Sequence, residues 1–134
     1  MFRRITMKKI FALVLVAAIT IASLCACSNN TVNLSEKALA VAKSAIEATD
    51  NYLDSKIGYD EVSDKLSELD DEMSYVAEKT AEERMENRDF YVSSGITILR
   101  SCITTDSLRS SDTSYKKIIE ARNSLAEEAG LEKR

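Results

Sequence analysis

No proline interrupts this chain of 134 residues, and glycine occurs only at 58, 95 and 130. Proline cannot sit inside a helix without breaking it, and glycine weakens one, so a sequence nearly free of both is open to long helices. The apolar residues confirm that period. From Asn33 a stripe runs through Leu34, Ala38, Val41, Ala42, Ala45, Ile46, Thr49, Tyr52 and Leu53 at intervals of three and four, which places them on one helical face. Asn33 followed by Glu36 reads as an N-cap with a capping box. Gly58 is expected to end this first helix, of about 34 to 57, in the left-handed conformation.

Val62, Leu66, Leu69, Met73 and Val76 then follow at 4, 3, 4 and 3, a seam of coiled-coil type. A short turn between two helices of similar length predicts an antiparallel hairpin. Residues 81 to 88 are charged and carry no clear face, so they read either as a bend or as a continuous helix changing its buried side. A third segment, about 89 to 104, carries Tyr91, Val92, Ile96, Leu99, Cys102 and Ile103. A last one, about 113 to 129, carries Tyr115, Ile118, Ile119, Arg122 by its stem, Leu125 and Ala129, with Gly130 as its cap. The expected fold is all-α: a small antiparallel bundle of four helices, or of three with a long bent middle one. Its bounds are 34–130, with a polar tail at 131–134.

The first 27 residues have a different composition. Arg3, Arg4, Lys8 and Lys9 precede an apolar run from Ile10 to Leu24, and Leu24-Cys25-Ala26-Cys27 leads directly into polar Ser28-Asn29-Asn30. A basic start, about 15 apolar residues and a small-residue close make a secretory signal, whereas a spanning helix needs about 20 apolar residues and flanking charge. Met7 is an alternative start that leaves this layout unchanged.

Leu24-Cys25-Ala26-Cys27 resembles the lipobox of bacterial prolipoproteins. The resemblance implies a signal peptide over 1–26, cleaved between Ala26 and Cys27, and a diacylglyceryl group on the Cys27 sulfur. Residues 27–33 then form an anchor and tether. It further implies export, with the lipid holding the chain to the outer face of the cytoplasmic membrane or to the outer membrane. Cys25 occupies a position that the family more often fills with Ser, Ala or Thr. Bulky Leu24 just before it makes Cys25 a poor lipid acceptor.

Beyond the leader, 14 basic side chains face 22 acidic ones, a net charge of −8. Binding of nucleic acid and adsorption to anionic lipid both depend on clustered Lys and Arg, so this balance disfavours them. With no histidine, Ser-His-Asp and Cys-His nucleophiles and the usual zinc sites are not available. Three glycines do not make a phosphate-cradling loop. The acid cluster Glu68, Asp70, Asp71 and Glu72 lies on a helix without the glycine-turned loop of a calcium site, and reads as a solvated face. Cys102 reads as a small buried hydrophobe. Tyr75, displaced from its seam, reads as an exposed flank residue that could join Tyr59 in a partner surface.

No enzyme, metal or cofactor is therefore expected. The leading expectation is a lipid-anchored, monomeric helical module of the cell envelope that binds a membrane-proximal protein or a small ligand. The alternative is a structural envelope lipoprotein, since Cys27-Ser28-Asn29-Asn30 before a helix and the basic end Lys133-Arg134 loosely resemble a small murein lipoprotein. Gly58, Gly95 and the serine-rich turn interrupt the single seam that such rods keep.

Overall fold

The structure, a computed structural model, describes residues 33–134; the signal peptide, Ala26, Cys27 and the tether up to residue 32 lie outside them. Among the described residues four long helices and two short ones follow in order. These are α1 (Glu36–Leu53), α2 (Tyr59–Glu72), a 3-10 turn (Ser74–Glu78), α3 (Ala81–Glu86), α4 (Asp89–Leu108) and α5 (Asp112–Glu128). They form an all-α antiparallel bundle, and no strand occurs among them. No helix of the described residues is long and apolar enough to cross a membrane.

α4 is the hub. Val92, Ile96, Leu99 and Ile103, at intervals of 4, 3 and 4, are all buried, and the helix packs against α1, α2, α3, α5 and the 3-10 turn. The α2 seam is buried throughout its five members, of which Met73 caps the helix end and Val76 lies on the 3-10 turn. α1 presents small side chains to the core, Ala38, Ala42, Ala45 and Ala48, beside Val41 and Leu53. From α5 come Ile118, Ala121, Leu125 and Ala126. Ile119 is only half-buried.

Two side-chain bonds fix the relative direction of α1 and α4. Ser35 at the head of α1 reaches Asp89 at the head of α4, and Tyr52 at the foot of α1 reaches Asp106 at the foot of α4, both across 54 residues of sequence. A constant offset is what two parallel helices in register require. α2 and α5 run the other way. The Arg88 guanidinium at the head of α4 meets Glu128 at the end of α5.

Helix ends depart from the sequence reading. Ser35, not Asn33, is the N-cap of α1, its Oγ accepting from the Ala38 N–H at 3.1 Å. Leu34 and Leu39 take the N′ and N4 positions of a hydrophobic staple, both half-buried against the core. α1 stops at Leu53, short of the expected 57, and Ser55 rather than Gly58 adopts the left-handed conformation, with φ 57°. The Ser55 and Lys56 N–H groups close a Schellman turn on the carbonyls of Tyr52 and Asn51 at 3.0 and 2.8 Å. Gly58 is extended and serves as N-cap of α2.

The ambiguous charged stretch is a bend with its own short helix. Thr80 and Glu83 form a reciprocal capping box on α3, and Asn87 then caps the Asp89 N–H at 2.9 Å. Gly130 does cap α5, at φ 64°, with the Leu131 N–H on the Ala126 carbonyl at 2.7 Å. The tail beyond it folds back along α5. Asn123 brackets the Arg134 backbone at 2.8 and 3.1 Å, and the Arg134 guanidinium pairs with Asp54.

Candidate functional site

Each end of the parallel α1/α4 pair is tied by one aspartate that gathers a tyrosine and a serine. At the head, the Asp89 carboxylate accepts the Ser35 N–H at 2.9 Å, the Ser35 hydroxyl at 2.6 Å and the Tyr75 hydroxyl at 2.7 Å. The residue is 1 % exposed. Burial alone would push this carboxyl up, but the hydrogen bonds from Ser35 and Tyr75 outweigh it and hold Asp89 below the usual carboxylate range. Lys79 adds to that depression, and the Lys37 ammonium lies 4.9 Å over the Tyr75 ring.

A serine donating to an aspartate invites a nucleophilic reading, and the geometry argues against it. The lowered pKa makes Asp89 a weaker base, and Ser35 Oγ is already engaged by the Ala38 N–H as a cap. This node is a structural knot joining α1, the 3-10 turn and α4. Tyr75 therefore differs from its sequence reading: it is half-buried and bonded, and it sits at the opposite end from Tyr59. Hydrogen bonding with Thr104, then Ser63, pulls the Tyr59 hydroxyl below its ordinary range beside the foot of α4.

At the foot, Asp106 accepts the Tyr52 hydroxyl at 2.8 Å and the Ser114 hydroxyl near the head of α5. Burial, and then the Asp106 carboxylate, push Tyr52 up to about 12. This node opens onto a concavity of 460 Å³ between the α1–α2 and α4–α5 turns, while Ser35 and Lys79 beside the Asp89 knot line one of 390 Å³. Tyr115, expected in the core, is instead 40 % exposed and lines it.

A third polar node stabilises the side of the bundle. Arg122, 7 % exposed, donates from Nε and Nη2 to both oxygens of Asp50 at 3.0 and 2.8 Å and from Nη1 to the Glu132 carbonyl at 2.6 Å. The guanidinium as well as the stem is thus buried, which the sequence reading of Arg122 did not include. Such a fork-to-fork pair is specific in geometry.

The acid cluster of α2 does not converge. Asp70 pairs with Arg100 of α4 at 2.6 Å, Glu68 turns to Lys65 at 3.4 Å, and Asp71 and Glu72 are exposed. Among the described residues no group of three or more metal-ligating side chains is placed to hold an ion. Glu68 also lines a 460 Å³ groove between α1 and α2, with Glu47, Glu61 and Asp64 around a floor of Ala48 and Ile57. Cys102 is half-buried against the core rather than fully enclosed, and burial pushes its thiol up, so it is not a ready thiolate. Tyr91, placed by its spacing in the third apolar stripe, is 43 % exposed, packed edge-to-face on Phe90 under the Arg88 guanidinium.

The two aspartate nodes were not legible as a site. Asp89 and Asp106 stand singly among many acids; Ser35 and Tyr52 lie 54 residues from them, and Tyr75 and Ser114 lie 14 and 8 residues away on other elements. Comparison with protein families, with curated proteins and with solved structures gives no match to this chain.

Proposed function

We propose that this chain is a lipid-anchored lipoprotein of the bacterial cell envelope, whose helical bundle is a monomeric, non-enzymatic binding module working close to the membrane. The observation that carries this reading is the Leu24-Cys25-Ala26-Cys27 segment, set between an apolar run and a polar tether. Cys27 is the residue to receive the lipid, after cleavage behind Ala26. Each buried methylene is worth about 0.8 kcal/mol, so two acyl chains hold stably where one is marginal.

The bundle's own geometry supports the membrane-proximal half of the reading. Ser35 is tied to Asp89 by two hydrogen bonds, so the head of α1 is a fixed point. The six residues from Ser28 to Asn33 span at most ~20 Å. Partners within that reach are membrane-proximal proteins or small ligands. The charge of −8 disfavours nucleic acid and a bare anionic lipid surface. The rod-like structural alternative finds little support, because the described helices fold back on one another instead of extending one seam.

Metabolic labelling with a fatty-acid analogue tests the anchor. Cys27→Ala is expected to lose both label and processing, while Cys25→Ala keeps both. Label persisting in the Cys27→Ala protein would sink the assignment.

A further inference from the structure

We propose that the concavity between the two hairpin turns is a binding site for an uncharged saccharide. This rests on the binding half of the proposed function and not on the lipid anchor, so the labelling of Cys27 and the titration below fail independently.

Four concavities can be compared by size, charge and lining. The α1–α2 groove is ringed by Glu47, Glu61, Asp64 and Glu68 against the single Lys65, and these are solvated acids. The one beside Asn33 and Lys79 contains no aromatic side chain. The cleft under Phe90 and Tyr91 holds only 230 Å³, below the ~300–1,000 Å³ of ordinary small-molecule sites. The concavity at the foot of the bundle holds 460 Å³ and combines two tyrosines with a small set of polar groups.

Its parts come from both turns. Tyr52 and Asp106 stand at the ends of the parallel helices, Lys56 and Ser110 on the connections, and Tyr115 on the first turns of α5. The Tyr52 hydroxyl is held by Asp106 at 2.8 Å, so its ring is fixed before a ligand arrives. The rim is also fixed: Ser55 is in the left-handed conformation, locked by the Schellman hydrogen bonds. A non-glycine residue in that region marks backbone strain that the surroundings must hold. A pre-ordered site loses less freedom on binding.

The charges select the ligand class. Lys56 and Asp106 are the lining residues with full charges, and they are opposite in sign. Each already has a partner, Lys56 the Asp54 carboxylate at 3.7 Å, which it shares with Arg134, and Asp106 the hydroxyls of Tyr52 and Ser114. On a surface of net charge −8 this patch is balanced, so neither an anion nor a cation gains much there. A sugar ring fits what remains. Its C–H face packs on tyrosine, whose ring is apolar and whose tip is polar. Its hydroxyls both donate and accept, matching the free lone pairs of Asp106, the Ser110 hydroxyl and the Lys56 ammonium.

The test uses the full chain in detergent micelles, with saturation-transfer NMR and calorimetric titration of N-acetylglucosamine trisaccharide and of maltotriose. The proposal expects saturation transfer to ring protons of at least one saccharide and submillimolar affinity. Tyr115→Ala should weaken it about fivefold to tenfold, Tyr115→Phe should keep it within about twofold, and Tyr91→Ala should leave it unchanged. Circular dichroism establishes that each variant is folded. Three results would overturn the proposal: no saturation transfer from either sugar at millimolar concentration, equal losses in Tyr115→Phe and Tyr115→Ala, or binding of inorganic phosphate or alanyl-alanine in preference to both sugars.

Discussion

Asp89→Ala is expected to destabilise the bundle by about 2–4 kcal/mol in urea unfolding at neutral pH, more than any other single polar change. The substitution leaves the Ser35 N–H, the Ser35 hydroxyl and the Tyr75 hydroxyl without their acceptor at a residue 1 % exposed. Hydrogen bonds to a charged group contribute about 1.5–3 kcal/mol each, but water can reach the exposed Ser35 and recover part of the loss. Asp89→Asn keeps one accepting oxygen and should cost about half as much. The effect also carries a pH signature. Because Asp89 is held below its ordinary range in the native state, the unfolded chain takes up the proton first on acidification. The stabilisation is complete above about pH 4, the ordinary aspartate value, and drains away as pH falls through the lower native value. The gap between wild type and Asp89→Ala should therefore narrow on acidification. A gap that stays constant from pH 7 down to about pH 3 would show that the carboxylate charge is not what the knot uses.

The same residue explains why helix ends were harder to read than helix faces. The seam Val62, Leu66, Leu69, Met73 and Val76 is visible in the sequence because burial acts on every third or fourth residue, and all five are buried. A cap is decided by one residue among near-equals. Asn33 and Ser35 are both good caps by type, and Ser35 prevails because its N–H and hydroxyl meet an aspartate that no local window contains. Gly58 had the right chemistry for a left-handed turn, yet Ser55 takes that position and Gly58 is extended. The turn is closed three residues earlier by backbone bonds to Asn51 and Tyr52. Thr80 and Glu83 did carry a capping box in plain view, and that motif resolves the stretch 81 to 88 into a short helix and a bend.

Tyr115 and Tyr91 show a second limit. Both fall on their apolar stripes by spacing, but each is about two-fifths exposed, because the stripe of a four-helix bundle is wider than the surface its neighbours cover. Small residues fill the space instead. Ala121 and Ala126 are buried on α5 without having marked themselves as core, since alanine is at home on either face. The Arg122 to Asp50 pair and the Asp106 node likewise depend on side chains brought together from distant helices. A sequence window cannot register them.

Leu125→Ala is expected to cost about 2–5 kcal/mol, the range for deleting a buried leucine and leaving a cavity. Leu125 is 1 % exposed where α4 and α5 pack together, and what it packs against there is Gly95. A Cβ placed on Gly95 would stand 2.9 Å from Leu125 Cδ1, so the glycine is where α4 makes room for this leucine. Gly95→Ala alone should gain about 1 kcal/mol of helix propensity and lose about 1–3 kcal/mol to overpacking, for a net destabilisation of roughly 1 kcal/mol. With Leu125 already cut to alanine the obstructing methyl is gone. Gly95→Ala should then stabilise by about 1 kcal/mol, since its propensity gain remains and the new methyl fills part of the cavity. The sign of one substitution is thus expected to reverse with its neighbour, a coupling of about 2 kcal/mol measurable in a double-mutant cycle by denaturant unfolding. Additive effects within about 0.5 kcal/mol would mean that Leu125 moves aside at no cost and that Gly95 does not set the α4–α5 approach.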